Sequence, residues 1–199
     1  MRILLSVPTY ENISPDTFKS IYGLDKAGHQ VFFNFQRGYD AATARNLIAE
    51  EAINGQYDYV LMVDGDIILP SDALKHMMDP LPDIVLGIYP DRWRPTYSVF
   101  HRTNCDTIDY TLDTCYTMAE INEMPQGRYE TRGGGFGCGL IKTEIFEHID
   151  YPWFYFENYR NKTKLSEDLY FCEKIHKTNY KIEMDTRVRC GHIGKTVLY

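Results

Sequence analysis

The chain has 199 residues, 44% of them hydrophobic, enough to bury one substantial core and too few for two full domains. A net charge of −7 with no long basic run argues against nucleic-acid binding as the main role, because phosphate backbones demand clustered Lys and Arg. Cys105, Cys115, Cys138, Cys172 and Cys190 are too scattered for a disulfide framework, and no apolar run reaches the length of a membrane span, so the expectation is a cytoplasmic protein without an integral membrane segment.

Residues 2–7 predict a short apolar strand, broken by Pro8-Thr9-Tyr10-Glu11-Asn12 in the manner of a ligand-facing strand-to-helix loop. Ser14-Pro15-Asp16 opens a helix of about three turns that Gly28 closes, before a strand at 30–35. Residues 40–53 are rich in helix formers and stop at Asn54-Gly55; taken alone, Arg45 and Asn46 in that helix read as a solvated face. Residues 60–63 are continuously apolar, as in a buried parallel strand, and run into Asp64-Gly65-Asp66. An extended backbone there would put both carboxylates on one side as a magnesium or manganese site; the alternative is an ordinary acidic turn. Ser71 is placed to cap a helix to about Met78, and 83–89 form the next strand, so the first ninety residues read as a parallel α/β sheet.

Beyond Pro90 the pattern changes to short strands at 97–101, 108–112 and 116–119, antiparallel in character. Five glycines fall within 133–139, a backbone able to press against a ligand but lacking the Lys-Ser/Thr of a phosphate loop. Thr143 caps a short helix to Ile149, and the aromatic stretch 151–159 suits either the core or a sugar-stacking surface. Ser166-Glu167-Asp168 opens a helix with Leu169, Cys172 and Ile175 or His176 on one face, where acidic residues complement the helix dipole. A strand follows, and then Cys190-Gly191-His192-Ile193-Gly194-Lys195. Cys172, His176, Cys190 and His192 also admit a structural zinc site.

VPTYEN, ATARN, VDGD, GGGFGCGLI, SEDLYF and CGHIGK, in this order, resemble the metal-dependent GT-A glycosyltransferases, most closely the family 2 type and the related Anp1-like mannosyltransferases. The resemblance implies a single Rossmann-like α/β domain over 1–199, with a mostly parallel sheet and a smaller antiparallel element in the C-terminal half. Residues 1–90 would bind the nucleotide and 91–199 the acceptor side. It implies an enzyme that moves a sugar from a UDP- or GDP-linked donor to the hydroxyl of a carbohydrate or other acceptor. Pro8, Thr9 and Tyr10 would line the nucleotide pocket, with Arg45, Asn46 and Lys195 facing the diphosphate. Asp66 and His192 would hold Mn2+ (or Mg2+), with Asp64 on the ribose or on the metal through water. Asp168 would be the general base of an inverting reaction and Glu167 would orient acceptor or sugar, with Gly135, Phe136 and Gly137 beside the acceptor. A retaining transferase, a donor-binding protein without transfer activity and a nucleotidyltransferase are the alternatives; a basic glycine-rich loop after the first strand, usual in the last, is missing. Where many members carry an acidic residue after the second strand, this chain reads Phe33-Asn34-Phe35-Gln36-Arg37, which leaves the base open. The short stretch after His192 implies a compact acceptor site or help from a partner chain, a homo-oligomer included.

Overall fold

The computed structural model describes residues 1–92, 95–100, 114–159, 162–194 and 197–198, with backbone alone at 158–159, 162–164 and 197–198. The chain opens β1 (Arg2–Thr9), α1 (Pro15–Tyr22), β2 (Gln30–Arg37), α2 (Ala41–Asn54), β3 (Tyr59–Val63), β4 (Ile67–Ile68), α3 (Ala73–Met77) and β5 (Ile84–Ile88). It continues through β6 (Thr96–Phe100), β7 (Cys115–Thr117), α4 (Met118–Glu123), β8 (Arg128–Glu130), β9 (Gly133–Gly134), β10 (Cys138–Lys142) and α5 (Ile145–His148). The last elements are β11 (Glu157–Tyr159), β12 (Lys162–Leu165), α6 (Glu167–Ile175), β13 (Ile182–Arg189), β14 (Gly191–Ile193) and β15 (Val197–Leu198).

The central sheet has seven strands in the order β2-β1-β3-β10-β5-β13-β8. Strands β1, β2, β3, β5 and β13 run the same way, while β10, between β3 and β5, and β8, at the edge, run against them. Small antiparallel sheets form from β15-β14-β4, β7-β6-β9 and β11-β12. Both faces of the central sheet are covered at its middle, which is why β3 and β5 are apolar and buried at every position, whereas the edge strand β2 is largely exposed. Period two divides them: Ile3, Leu5, Val7, Leu61 and Val63 join the cluster under α1 and α3, while Leu4, Val60 and Met62 pack with α2 and the aromatic group Phe136, Phe146, Phe154 and Phe171. Among the described residues no helix is long and apolar enough to cross a membrane.

Several sequence expectations shift. Helix α1 starts as expected, with Ser14 Oγ accepting the Asp16 N–H, but it stops at Gly23 rather than Gly28. Gly28 instead serves a turn with Ala27 in which both residues have positive φ, 78° and 50°. Ser71 does not cap α3: the cap position falls to Asp72, whose side chain bonds His76 instead of a helix N–H. Thr143 likewise gives way to Glu144 ahead of α5, and the strand expected at 116–119 ends at Thr117, which closes a capping box with Glu120 and starts α4. The strand expected at 108–112 lies outside the described residues. The aromatic stretch divides, with Trp153 and Phe154 buried and Tyr151 and Tyr155 exposed.

Candidate active site

Three elements end together beyond the carboxyl edge of the parallel strands, the place where ligands bind in open α/β sheets. The loop after β1, the turn after β3 and the start of α6 enclose a cleft of ≈ 450 Å³ lined by Pro8, Thr9, Tyr10, Asn12, Tyr39, Asp40, Ala41, Arg45, Asp64, Gly65, Asp66, Glu167 and Asp168. A larger hollow of ≈ 590 Å³ lies at the opposite end of the sheet around Met1, Asp58, Asp83 and Lys142, away from all of the motif residues.

The Asp64-Gly65-Asp66 backbone is a turn, closed by the Ile67 N–H donating to Asp64 O at 3.1 Å, and not an extended segment. The two carboxylates therefore serve different partners. Asp64 turns to Arg45, whose Nη2 lies 3.1 Å from its Oδ1. Gly65 O accepts the Ser14 N–H, which ties the first loop to this turn. Asp66 faces His192, with Oδ1 3.8 Å from Nε2. That meeting is set by the backbone: β14 pairs antiparallel with the two-residue β4, His192 sits opposite Ile67, and Ile193 N–H donates to Asp66 O at 2.9 Å. His192 Nδ1 is 2.7 Å from Pro90 O, so that nitrogen carries the proton and the Nε2 lone pair points outward. Burial, with the charge of Arg92, lowers the His192 pKa and keeps the ring neutral.

Arg45 is not on a solvated face. Its side chain is 2% exposed, with Nε 3.1 Å from Asp168 Oδ1 and 3.5 Å from Glu167 Oε1. Burial alone would lower its pKa, but Asp168, Asp64 and Glu167 together raise it, so it stays charged. One guanidinium thus pairs with three carboxylates at the wall of the cleft. Asp168 is pushed up to about 7, chiefly by burial and by the neighbouring Glu167 and Asp64, against the pull of Arg45. It also accepts a hydrogen bond from the Phe136 backbone.

The remaining expectations divide. Pro8, Thr9, Tyr10, Asp64, Asp66, Glu167 and Asp168 meet at the cleft. Asn46 does not. Its Nδ2 donates to Ala42 O and Phe154 O, and its Oδ1 accepts the Trp153 and Phe154 N–H groups, so the amide fastens α2 to the aromatic segment. Glu167 Oε1 lies 3.5 Å from Arg45 Nε, so its carboxylate belongs to the same ionic group at the cleft wall. Phe136 is fully buried and points into the core, so only its backbone bears on the site. The glycines beside it allow close packing: a Cβ on Gly135 would lie 2.1 Å from Tyr89 Oη, and one on Gly137 2.8 Å from the same ring. Lys195 lies outside the described residues. The zinc expectation fails: Cys172 Sγ–H donates to Gly134 O, His176 meets Arg132 O, and the free thiol of Cys190 shares a hydrogen bond with that of Cys138. Among the described residues no three His, Cys, Asp or Glu side chains are grouped to hold a metal. Asp66 and His192 still suit a hard divalent cation that takes its other oxygen ligands from a phosphate-bearing substrate. The sequence signalled neither Arg92, which contacts both Asp66 and His192, nor the two-residue β4.

No family model and no curated protein matches the sequence. Solved structures do match in fold. A197 from STIV aligns with 98% of this chain and 86% of its own at 21% identity and a TM-score of 0.65. GalNAc-T7, crystallised with UDP, GalNAc and Mn2+, aligns with 96% of this chain and 44% of its own (12% identity, TM-score 0.58). TarS of S. aureus, residues 1–349, aligns with 95% and 60% (14% identity, TM-score 0.55). The chain thus spans about half the length of the last two, and its fold is GT-A-like.

Proposed function

We propose that this protein is a metal-dependent glycosyltransferase that uses a UDP- or GDP-linked sugar, of the family 2 or Anp1-like kind. The observation that carries the reading is the approach of Asp66 and His192, 126 residues apart in sequence, to 3.8 Å at the mouth of a cleft that also holds Asp168. Crystallisation of the similarly folded GalNAc-T7 with UDP, GalNAc and Mn2+ supports it. Residues 1–90 supply the donor walls through Pro8, Thr9, Tyr10 and Asp64, and residues 91–199 supply the imidazole and the base.

Asp66 and His192 would hold Mn2+ or Mg2+. When bound, the cation neutralises charge that grows on the departing nucleoside diphosphate. Asp168 accepts the proton of the acceptor hydroxyl while its oxygen bonds to the anomeric carbon, and the carbon–phosphate-oxygen bond breaks with its electron pair leaving on the diphosphate. A single attack of this kind inverts the anomeric centre. A carboxylate raised to about 7 is a better base than an ordinary one and still ionised at neutral pH in a large fraction of molecules. Arg45, with Glu167 and Asp64, is the positioning group that holds Asp168 in place.

The test is release of nucleoside diphosphate from a panel of UDP- and GDP-sugars with Mn2+, with acceptor sugars present and absent. Asp66→Ala and His192→Ala are expected to lower turnover at least about 100-fold, the scale of removing one electrostatic stabiliser of a leaving group. Unchanged turnover in either variant would remove the basis of the proposal.

A further inference from the structure

A third side chain stands between the two candidate metal ligands. Arg92, just after β5, donates from Nε to His192 Nε2 at 3.0 Å and forms an ion pair through Nη2 with Asp66 Oδ2. Both contacts use the lone pairs that a divalent cation would need, since His192 Nδ1 is already committed to Pro90 O. The guanidinium thus satisfies an outward lone pair and a carboxylate charge at a seat 3.8 Å across. Two cations cannot share it: a monovalent and a divalent charge this close repel strongly in a partly buried site.

Arg92 differs from the other site arginine in how firmly it is held. Arg45 is buried among three carboxylates, whereas the Arg92 side chain is 40% exposed and bonds at this site to Asp66 and His192. Leaving the seat costs Arg92 little desolvation, but its charge then needs a new anion. Resting on the nucleotide-sugar reading, the nearest such anion is the donor diphosphate in the adjoining cleft, and arginine's planar fork matches phosphate oxygens.

We propose that Arg92 is a built-in placeholder for the metal: it occupies the seat between Asp66 and His192 in the free protein and yields it to the divalent cation, moving onto the donor diphosphate. Metal and donor then bind cooperatively, because the nucleotide removes the competitor while the metal frees the guanidinium for the phosphates. Coupling of this kind is reciprocal.

The test is Mn2+ binding, followed by the loss of the free-ion electron paramagnetic resonance signal, for wild type, Arg92→Gln, Arg92→Lys and Asp66→Asn, with and without UDP or GDP. Without nucleotide, Arg92→Gln is expected to bind Mn2+ at least about tenfold more tightly than wild type, with Arg92→Lys in between. The tightening of Mn2+ by UDP or GDP is expected to be larger in wild type than in Arg92→Gln. Equal affinities in wild type and both Arg92 variants, with binding lost in Asp66→Asn, would overturn the placeholder while leaving the cation site intact. Absence of Mn2+ binding in every variant, with and without nucleotide, would overturn both this proposal and the reading beneath it. Thermal melts of the variants confirm that a changed affinity does not reflect unfolding.

Discussion

Asp168 concentrates the chemistry of a single residue. Its folded pKa of about 7 lies above the ordinary carboxylate value of 3.8, so the folded state holds a proton that the unfolded state has already released. Stability contributed by this group is therefore lost as pH rises from about 4 to 7 and changes no further above that. Two results follow for Asp168→Asn. Its melting temperature should gain on wild type progressively between pH 4 and 7, as read by thermal melts across that range. In wild type, kcat/KM should rise with pH to a plateau above about 7, because the ionised carboxylate is the base, and the variant should lose that limb along with most of its activity. A wild-type profile flat from pH 5 to 8 would assign the base elsewhere. Glu167 was harder to read. An acidic residue in the first helical turn has a sufficient explanation in capping, and only the arrival of Arg45 from α2 makes its carboxylate part of a buried ionic group.

At the scale of elements, neighbours in sequence part company. Arg45 and Asn46 stand side by side in α2, but one residue of helix turns the side chain by about 100°, so one faces the carboxylates and the other the aromatic segment. Four hydrogen bonds converge on Asn46. Asn46→Ala should therefore cost about 2–4 kcal/mol in denaturant unfolding, the buried Trp153 and Phe154 amides losing their partner, with the donor KM nearly unchanged. A raised KM at undiminished stability would return Asn46 to the nucleotide. The pairing of β4 with β14 carries the opposite lesson. The resemblance singles out His192 as a candidate ligand, but what delivers it to Asp66 is a two-residue ladder, too short to produce any periodic signal.

Across the whole molecule, the alternation of strands and helices in the first ninety residues was legible because each apolar strand there is bounded by turn formers and each helix by a cap or a glycine. The place of β10 was not. Its residues Cys138–Lys142 are apolar like those of any buried strand, and nothing local says that they insert antiparallel between β3 and β5. That insertion carries Gly135 to Gly137 across Tyr89 and sets the Phe136 backbone against Asp168, so the glycine-rich stretch serves close packing behind that carboxylate. On the proposed function, strands from both halves of the chain converge on one cation and one diphosphate. The most direct measurement is an anomalous difference map from crystals grown with Mn2+ and UDP or GDP. A manganese peak within ligand distance of both Asp66 and His192, with the diphosphate running into the Pro8 to Tyr10 loop, is the expected result. Well-ordered nucleotide bound elsewhere, or manganese touching neither side chain, would contradict it.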